Sequence, residues 1–261
     1  MKQYLFNKQL SRGQHLLLAF FGIILLISIW SALSFSGLVK PLFLPTPLTV
    51  FNSTIRLFLD FNLLGDILIS LYRIFLGFLL SVIISIPLGI YLGVNKKAEA
   101  FFDPLISFAR YIPTSAFVPL LILWLGIGDL QKVILLLIGV APYLTLLIFD
   151  IVSNTQKEYI EAAYTLGAKP KDIITKIVIP QSLPGIWDSM RIVMGVGWTI
   201  VLLAEIVAAT SGLGYLIITS QRFLQTANVI AAIFIIGLIG LFTDLLFKFT
   251  AKKFFPWQEK I

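Results

Sequence analysis

Apolar runs of about 20 residues recur along the whole chain, each long enough to cross the roughly 30 Å hydrocarbon core of a bilayer. The first runs from about Leu16 to Phe35. Lys2, Lys8 and Arg12 ahead of it give the outline of a signal peptide, but the run outlasts such a core and reaches Trp30 before any small-residue cleavage site. It reads as an uncleaved anchor. In Lys40-Pro-Leu-Phe-Leu-Pro-Thr-Pro47 three prolines exclude a helix. Thr46 then caps a short amphipathic helix that has Pro47 at its first position and runs toward Asp60. The second span covers about Ile67 to Val94 and is stopped by Asn95-Lys96-Lys97. A short segment with Glu99 and Asp103 leads into a third, from about Pro104 to Leu125, and Gly126-Ile-Gly-Asp-Leu-Gln-Lys132 is a tight turn. The fourth span runs from about Val133 to Asp150, the fifth from about Ser189 to Ala209 and the last from about Asn228 to Lys248. A polar segment, 153–188, parts the fourth from the fifth, and a Gly/Thr/Ser-rich connection containing Ser211-Gly-Leu-Gly214 parts the fifth from the sixth. The pattern predicts an all-α membrane protein with six transmembrane helices. It divides into a tail over 1–15, a first helix and connection over 16–64, a core over 65–250 and a second tail over 251–261.

Composition agrees: 58% hydrophobic residues, only 13% charged and a mean hydropathy of +0.96 exclude an ordinary water-soluble domain. A net charge of +7 would point to nucleic acid in a soluble protein, but here basic residues hold loops on one side of a membrane. Six spans put both termini on the same side. That side receives Lys2, Lys8, Arg12, Lys96, Lys97, Lys157, Lys169, Lys171, Lys176, Lys248, Lys252, Lys253 and Lys260, thirteen of the twenty basic residues. The opposite connections hold only Lys40, Arg56, Lys132 and Arg222, while Arg73, Arg110 and Arg191 lie within or at the ends of spans. Both termini and the 153–188 loop are therefore expected to be cytoplasmic. There is no Cys, and His15 is the only histidine, so no metal site is expected. No His pair or nucleophile motif marks a catalytic site either.

The 153–188 segment has internal structure of its own. Ser153-Asn154-Thr155 offers helix caps, and Lys157 to Leu166 makes a helix with Ile160, Ala163, Tyr164 and Gly167 along one side. Ala162 and Ala163 permit close approach of another surface, and Gly167 supplies the left-handed residue that ends a helix. Pro170 then opens a second helix, which runs through Ile177 to a break at Pro180. A short helix held between two turns is a lever.

Other positions carry packing or an isolated charge. Gly77, Ser81, Ser85, Gly89 and Gly93 form a ridge of small residues every four positions, suited to close helix packing, with Pro87 bending the helix; a ridge lining a pathway is the alternative. Gly126/Gly128, Gly195/Gly197 and Gly212/Gly214 are bare G-x-G pairs without the continuation a phosphate cradle needs, so no nucleotide site is expected in this chain. Glu205 lies in an otherwise apolar stretch. A carboxylate there costs about 2.5–3.5 kcal/mol on insertion scales and must face the protein interior. It is expected to pair with Arg73, Arg110 or Arg191, and depth favours Arg73. A structural ion pair is the favoured reading, and gating or substrate passage the alternative. Trp198, Thr199, Tyr143, Thr114 and Ser115 are candidate lining residues that interhelical packing would explain equally.

Glu161-Ala-Ala163, Gly167 and Ile177-Val-Ile-Pro180 resemble the EAA loop of the permease subunits of ABC importers, departing only at Ile179, where the family has Leu. The resemblance implies the type I importer transmembrane-domain fold. It makes the short helix the coupling helix, docked in a cleft of a separate ATPase subunit that binds ATP and Mg. Glu161, Ala162, Ala163, Gly167, Ile177 and Pro180 are then the coupling residues. From about Asp66 onward the chain resembles the branch serving nitrate, bicarbonate, taurine and aliphatic sulfonates. This second likeness rests on Phe102-Asp-Pro-Leu105, Arg110-Tyr-Ile-Pro-Thr-Ser-Ala-Phe-Val-Pro119, Leu125-Gly-Ile-Gly128 and Leu213-Gly-Tyr-Leu-Ile217. Leu44-Pro-Thr-Pro47 resembles the Leu-Pro-Ser/Ala-Pro of that branch's outer connection. The branch implies a small anion as substrate, a periplasmic or lipid-anchored substrate-binding protein, a second and identical permease copy, and the bacterial inner membrane. A permease of the same family for another small organic solute is the alternative. An ATP-independent secondary transporter would need coupling-ion carboxylates or broken helices at matching positions of two halves, and one buried Glu without an internal repeat argues against it.

Overall fold

The computed structural model describes residues 11–257; Lys2, Lys8 and Lys260 lie outside them, as do the side chains of Arg12 and His15. Helix α1 (Arg12–Phe35) is followed by α2 (Pro47–Leu59), α3 (Leu63–Val94), α4 (Lys96–Tyr111), α5 (Val118–Leu125) and α6 (Asp129–Ser153). Then come α7 (Lys157–Thr165), the single turn α8 (Pro170–Ile173), α9 (Ile179–Ala208), α10 (Leu213–Arg222) and α11 (Thr226–Phe254). Among the described residues, five helical segments are long and apolar enough to cross a membrane, and a bent pair makes up to six crossings. The outer connection folds as its residues require: Thr46 Oγ1 accepts the Thr49 N–H and Pro47 starts α2, whose apolar face buries Val50 and Leu57.

The structure departs from the sequence pattern at five places, one of them the expected turn over Gly126–Lys132, whose Asp129–Lys132 part is the first turn of α6. The third span is not one helix: α4 and the Thr114–Leu125 segment meet at 84°. Pro113 drives Ile112 into extended backbone (φ −73°, ψ 124°) and brings no N–H, so α4 ends there. Pro180 breaks nothing, because α8, a π turn over Ile174–Val178 and α9 run as one helical stretch, Pro170–Ala208. The wide turn sends the Ile179 N–H to the Ile174 carbonyl and so shifts the hydrogen-bond register just before a residue with no N–H to give. Ser153, Asn154 and Thr155 hydrogen-bond back to Asp150 and Val152 carbonyls, capping the end of α6 rather than the start of α7. The Gly-rich connection after α9 holds a helix, α10, which the apolar pattern concealed.

Helix α6 is the core, with Leu135, Leu136, Val140, Leu144 and Ile148 inaccessible to solvent. The small-residue ridge of α3 lies on it. A methyl group on Gly77 would sit 2.9 Å from Leu136 Cβ, and one on Gly89 2.7 Å from Ile148 Cβ. Ser85 Oγ donates to the Ala141 carbonyl across the seam. The ridge is a packing surface, and it brings α3 close enough for polar groups farther along to reach α9. Helix α1 stands apart from the core, tied near its end by the Trp30 N–H on the Pro45 carbonyl and a stack on Phe234.

Candidate functional site: the 153–188 loop and the Arg73–Glu205 cluster

Gly167 (φ +80°) closes α7. The Gly167 N–H reaches the Tyr164 carbonyl and the Ala168 N–H reaches that of Ala163, which together satisfy the last turn as a Schellman motif. The reversed chain is then restarted by Pro170, with Lys169 as the N-cap. Ala163 is buried between α7 and the α8–α9 stretch, whereas Glu161, Ala162 and Tyr164 face outward, and Leu166 is 87% exposed. Ile177 and Pro180 line a cavity of about 530 Å³ together with Tyr159, Ala162 and Ala163. The six residues expected to couple thus occupy one body. It consists of an exposed helix, a left-handed turn and the root of a helix that continues through the π turn to Ala208.

At the opposite end of the bundle, Glu205 is fully buried and its carboxylate is saturated. It accepts from Arg73 Nη1 at 2.7 Å, Ser70 Oγ at 2.8 Å and the Gly214 N–H at 2.8 Å. Arg73 also donates Nε to Asp129 at 2.8 Å and Nη1 to the Ser211 carbonyl, so α3, α6, α9 and the turn before α10 meet at one guanidinium. Of the three arginines open to Glu205, Arg73 is the partner. Arg191 instead pairs with Asp188 and Asp244, and Arg110 lies over the rings of Tyr111 and Tyr143. The Ser211–Gly214 glycines have a steric reason. Gly212 (φ +108°) leaves no room for a side chain, since a Cβ would lie 2.5 Å from Glu205 Oε1 and 2.7 Å from Arg73 Nη1.

Residues 85–256 match the family model described as the binding-protein-dependent transport system inner membrane component. The chain belongs to that family. It is 31% identical over 241 residues to the taurine transport system permease protein TauC of Escherichia coli K12, covering 90% of this chain and 88% of that one. It is 32% identical to the putative aliphatic sulfonates transport permease protein SsuC of Bacillus subtilis (90% and 85% covered). It is 29% identical to the bicarbonate transport system permease protein CmpB of Synechococcus elongatus (94% and 88% covered). The fold is similar to that of a chain of the MetNI methionine ABC transporter, a structure solved in inward-facing conformations, with a TM-score of 0.63 at 20% identity over 73% of this chain and 95% of that one.

This ABC importer permease is thus a multi-pass inner-membrane protein of the expected branch, and its remaining candidate residues fall in two places. Thr114 follows the bend after α4 and meets Gly139 of α6, one turn before Tyr143; Ser115 beside it is exposed. Trp198 is buried between α9 and α11 with its indole N–H unpartnered, while Thr199 is exposed and donates to the Val196 carbonyl. The sequence reading missed Ser70, Asp66 and Asp129. Ser70 accepts the Leu213 N–H and Asp66 the Gly212 N–H, so both fasten the α10 turn. Their spacing of three and seven residues before Arg73 is the helical-face signal that would have found them.

Proposed function

We propose that this permease, paired with a second copy of itself, forms the path by which an ATP-driven importer moves a small anion of the sulfonate, taurine, nitrate or bicarbonate class. A periplasmic or lipid-anchored binding protein delivers the substrate. A separate ATPase subunit binds ATP and Mg and docks on α7, with the loop and both termini in the cytoplasm, a placement supported by the thirteen-to-four division of basic residues. The observation that carries the reading is mechanical. An exposed helix closed by Gly167 stands at the root of one helical stretch from Pro170 to Ala208, so force applied to α7 has a stiff route to Glu205.

The anion class is supported by the names of the relatives and by the bend after α4. Among the described residues Arg110 has no carboxylate partner; its side chain bonds only Tyr111 Oη and lies 5.9 Å from the Tyr143 ring centroid. A half-buried cation without a carboxylate is what an anion's path needs. The test is substrate-dependent ATP hydrolysis by the full complex in proteoliposomes, with taurine, an alkanesulfonate, nitrate and bicarbonate as candidates. One of these solutes, each of which carries an anionic oxygen group, should stimulate hydrolysis, and Arg110→Gln should raise the concentration required. Stimulation only by solutes that carry no anionic group would contradict the reading.

A further inference from the structure

Helix α11 ends at Phe254, and the chain beyond it turns back. The Phe255 N–H still reaches the Ala251 carbonyl, Pro256 follows, and Trp257 forms a wall of the 530 Å³ cavity whose other sides are Tyr159, Ala162 and Ala163 of α7 and Ile177 and Pro180 of the α8–α9 stretch. From there an unbroken aromatic series enters the bundle. Phe255 meets Trp257 edge-on at 5.6 Å, and Phe254 and Phe255 flank Trp187 of α9 at 5.6 and 6.2 Å. The Trp187 N–H donates to the Phe247 carbonyl of α11, 3.0 Å away.

We propose that Trp257 is a positioning residue: it clasps the end of α11 to the coupling loop, so that α7, α9 and α11 move together when α7 is pushed. The inference rests on the coupling role proposed for α7. Helix α9 needs no clasp, because the helical stretch from Pro170 joins it to the loop directly. Helix α11 is separated from α7 in sequence by α8, α9 and α10, and the aromatic tail is what returns it there. Trp257 is 61% exposed, so it buries too little to be a main support of the fold. Its effect belongs to transmission. Trp187 and the Arg191–Asp244 pair hold α11 to α9 deeper in the bundle and survive its loss.

The experiment uses the full complex in proteoliposomes and measures ATPase assembly and substrate moved per ATP hydrolysed. Trp257→Ala should assemble with the ATPase at the wild-type yield and hydrolyse ATP, but move several-fold less substrate per ATP. Trp257→Phe, which keeps an aromatic ring against Phe255, should recover most of the ratio. A wild-type ratio in Trp257→Ala overturns the proposal. Failure of that variant to bind the ATPase overturns it too, since Trp257 would then be a docking residue. An independent check uses the absence of native cysteine: Ala162→Cys and Trp257→Cys, which share the cavity, should be joined within one chain by a short bifunctional thiol reagent. Failure to join them contradicts the placement of the tail. A wild-type chain that binds no ATPase, or transports without consuming ATP, would instead defeat the coupling role beneath it.

Discussion

Glu205 is tolerated in an apolar helix because Arg73, Ser70 and the Gly214 N–H replace the water it gave up. Glu205→Gln keeps the shape and removes the charge. It should lower the melting temperature, at a cost of about 3 kcal/mol, the low end for breaking a buried pair, since Asp129 stays on the guanidinium. Transport by the folded fraction should be unchanged. An unchanged melting temperature with altered transport would move Glu205 from support to gating. Gly212→Ala should lower the melting temperature as well, because its Cβ would enter the space of the Glu205 and Arg73 side chains at a backbone angle that disfavours any side chain.

The elements behave as their small residues dictate. Gly89→Val on α3 would drive methyl groups into Ile148 of α6 and should destabilise by about 1–3 kcal/mol, read from thermal unfolding in detergent. A variant as stable as the parent would mean that the α3–α6 seam is looser than its contacts imply. Much at this scale was legible in the sequence: the Thr46–Pro47 start of α2, the Gly167 stop of α7 and the Pro170 restart are local signals decided by a few backbone groups. The bend at Pro113 was equally local, but the apolar run across it hid the break. Pro180 misled in the other direction, because a π turn absorbs it and nothing in residue chemistry marks such a turn. The cluster at Arg73 was half legible. Depth along the spans favoured the Arg73–Glu205 pair, whereas Asp129 and the α10 turn come together only through the packing of α3 on α6.

At the scale of the whole molecule, the proposed orientation puts α7 and both termini in the cytoplasm and the turn before α6 outside. Single cysteines placed in this Cys-free chain at Asn52 and Ile127, both exposed, should react with a membrane-impermeant thiol reagent in intact cells. Cysteines at Lys171 and Lys252, exposed at the loop end, should not react. Labelling of position 171 from outside would reverse the orientation and remove α7 from the compartment that holds ATP. The central claim is that α7 transmits the work of a separate ATPase into α9, and Gly167→Pro tests it most directly. Proline cannot adopt the φ of +80° that closes α7, so the turn is lost while the spans are untouched. Measured in reconstituted complexes, this variant should reach the membrane at wild-type abundance, yet show neither substrate-stimulated ATP hydrolysis nor transport above background. Wild-type stimulation and transport in Gly167→Pro would contradict the account.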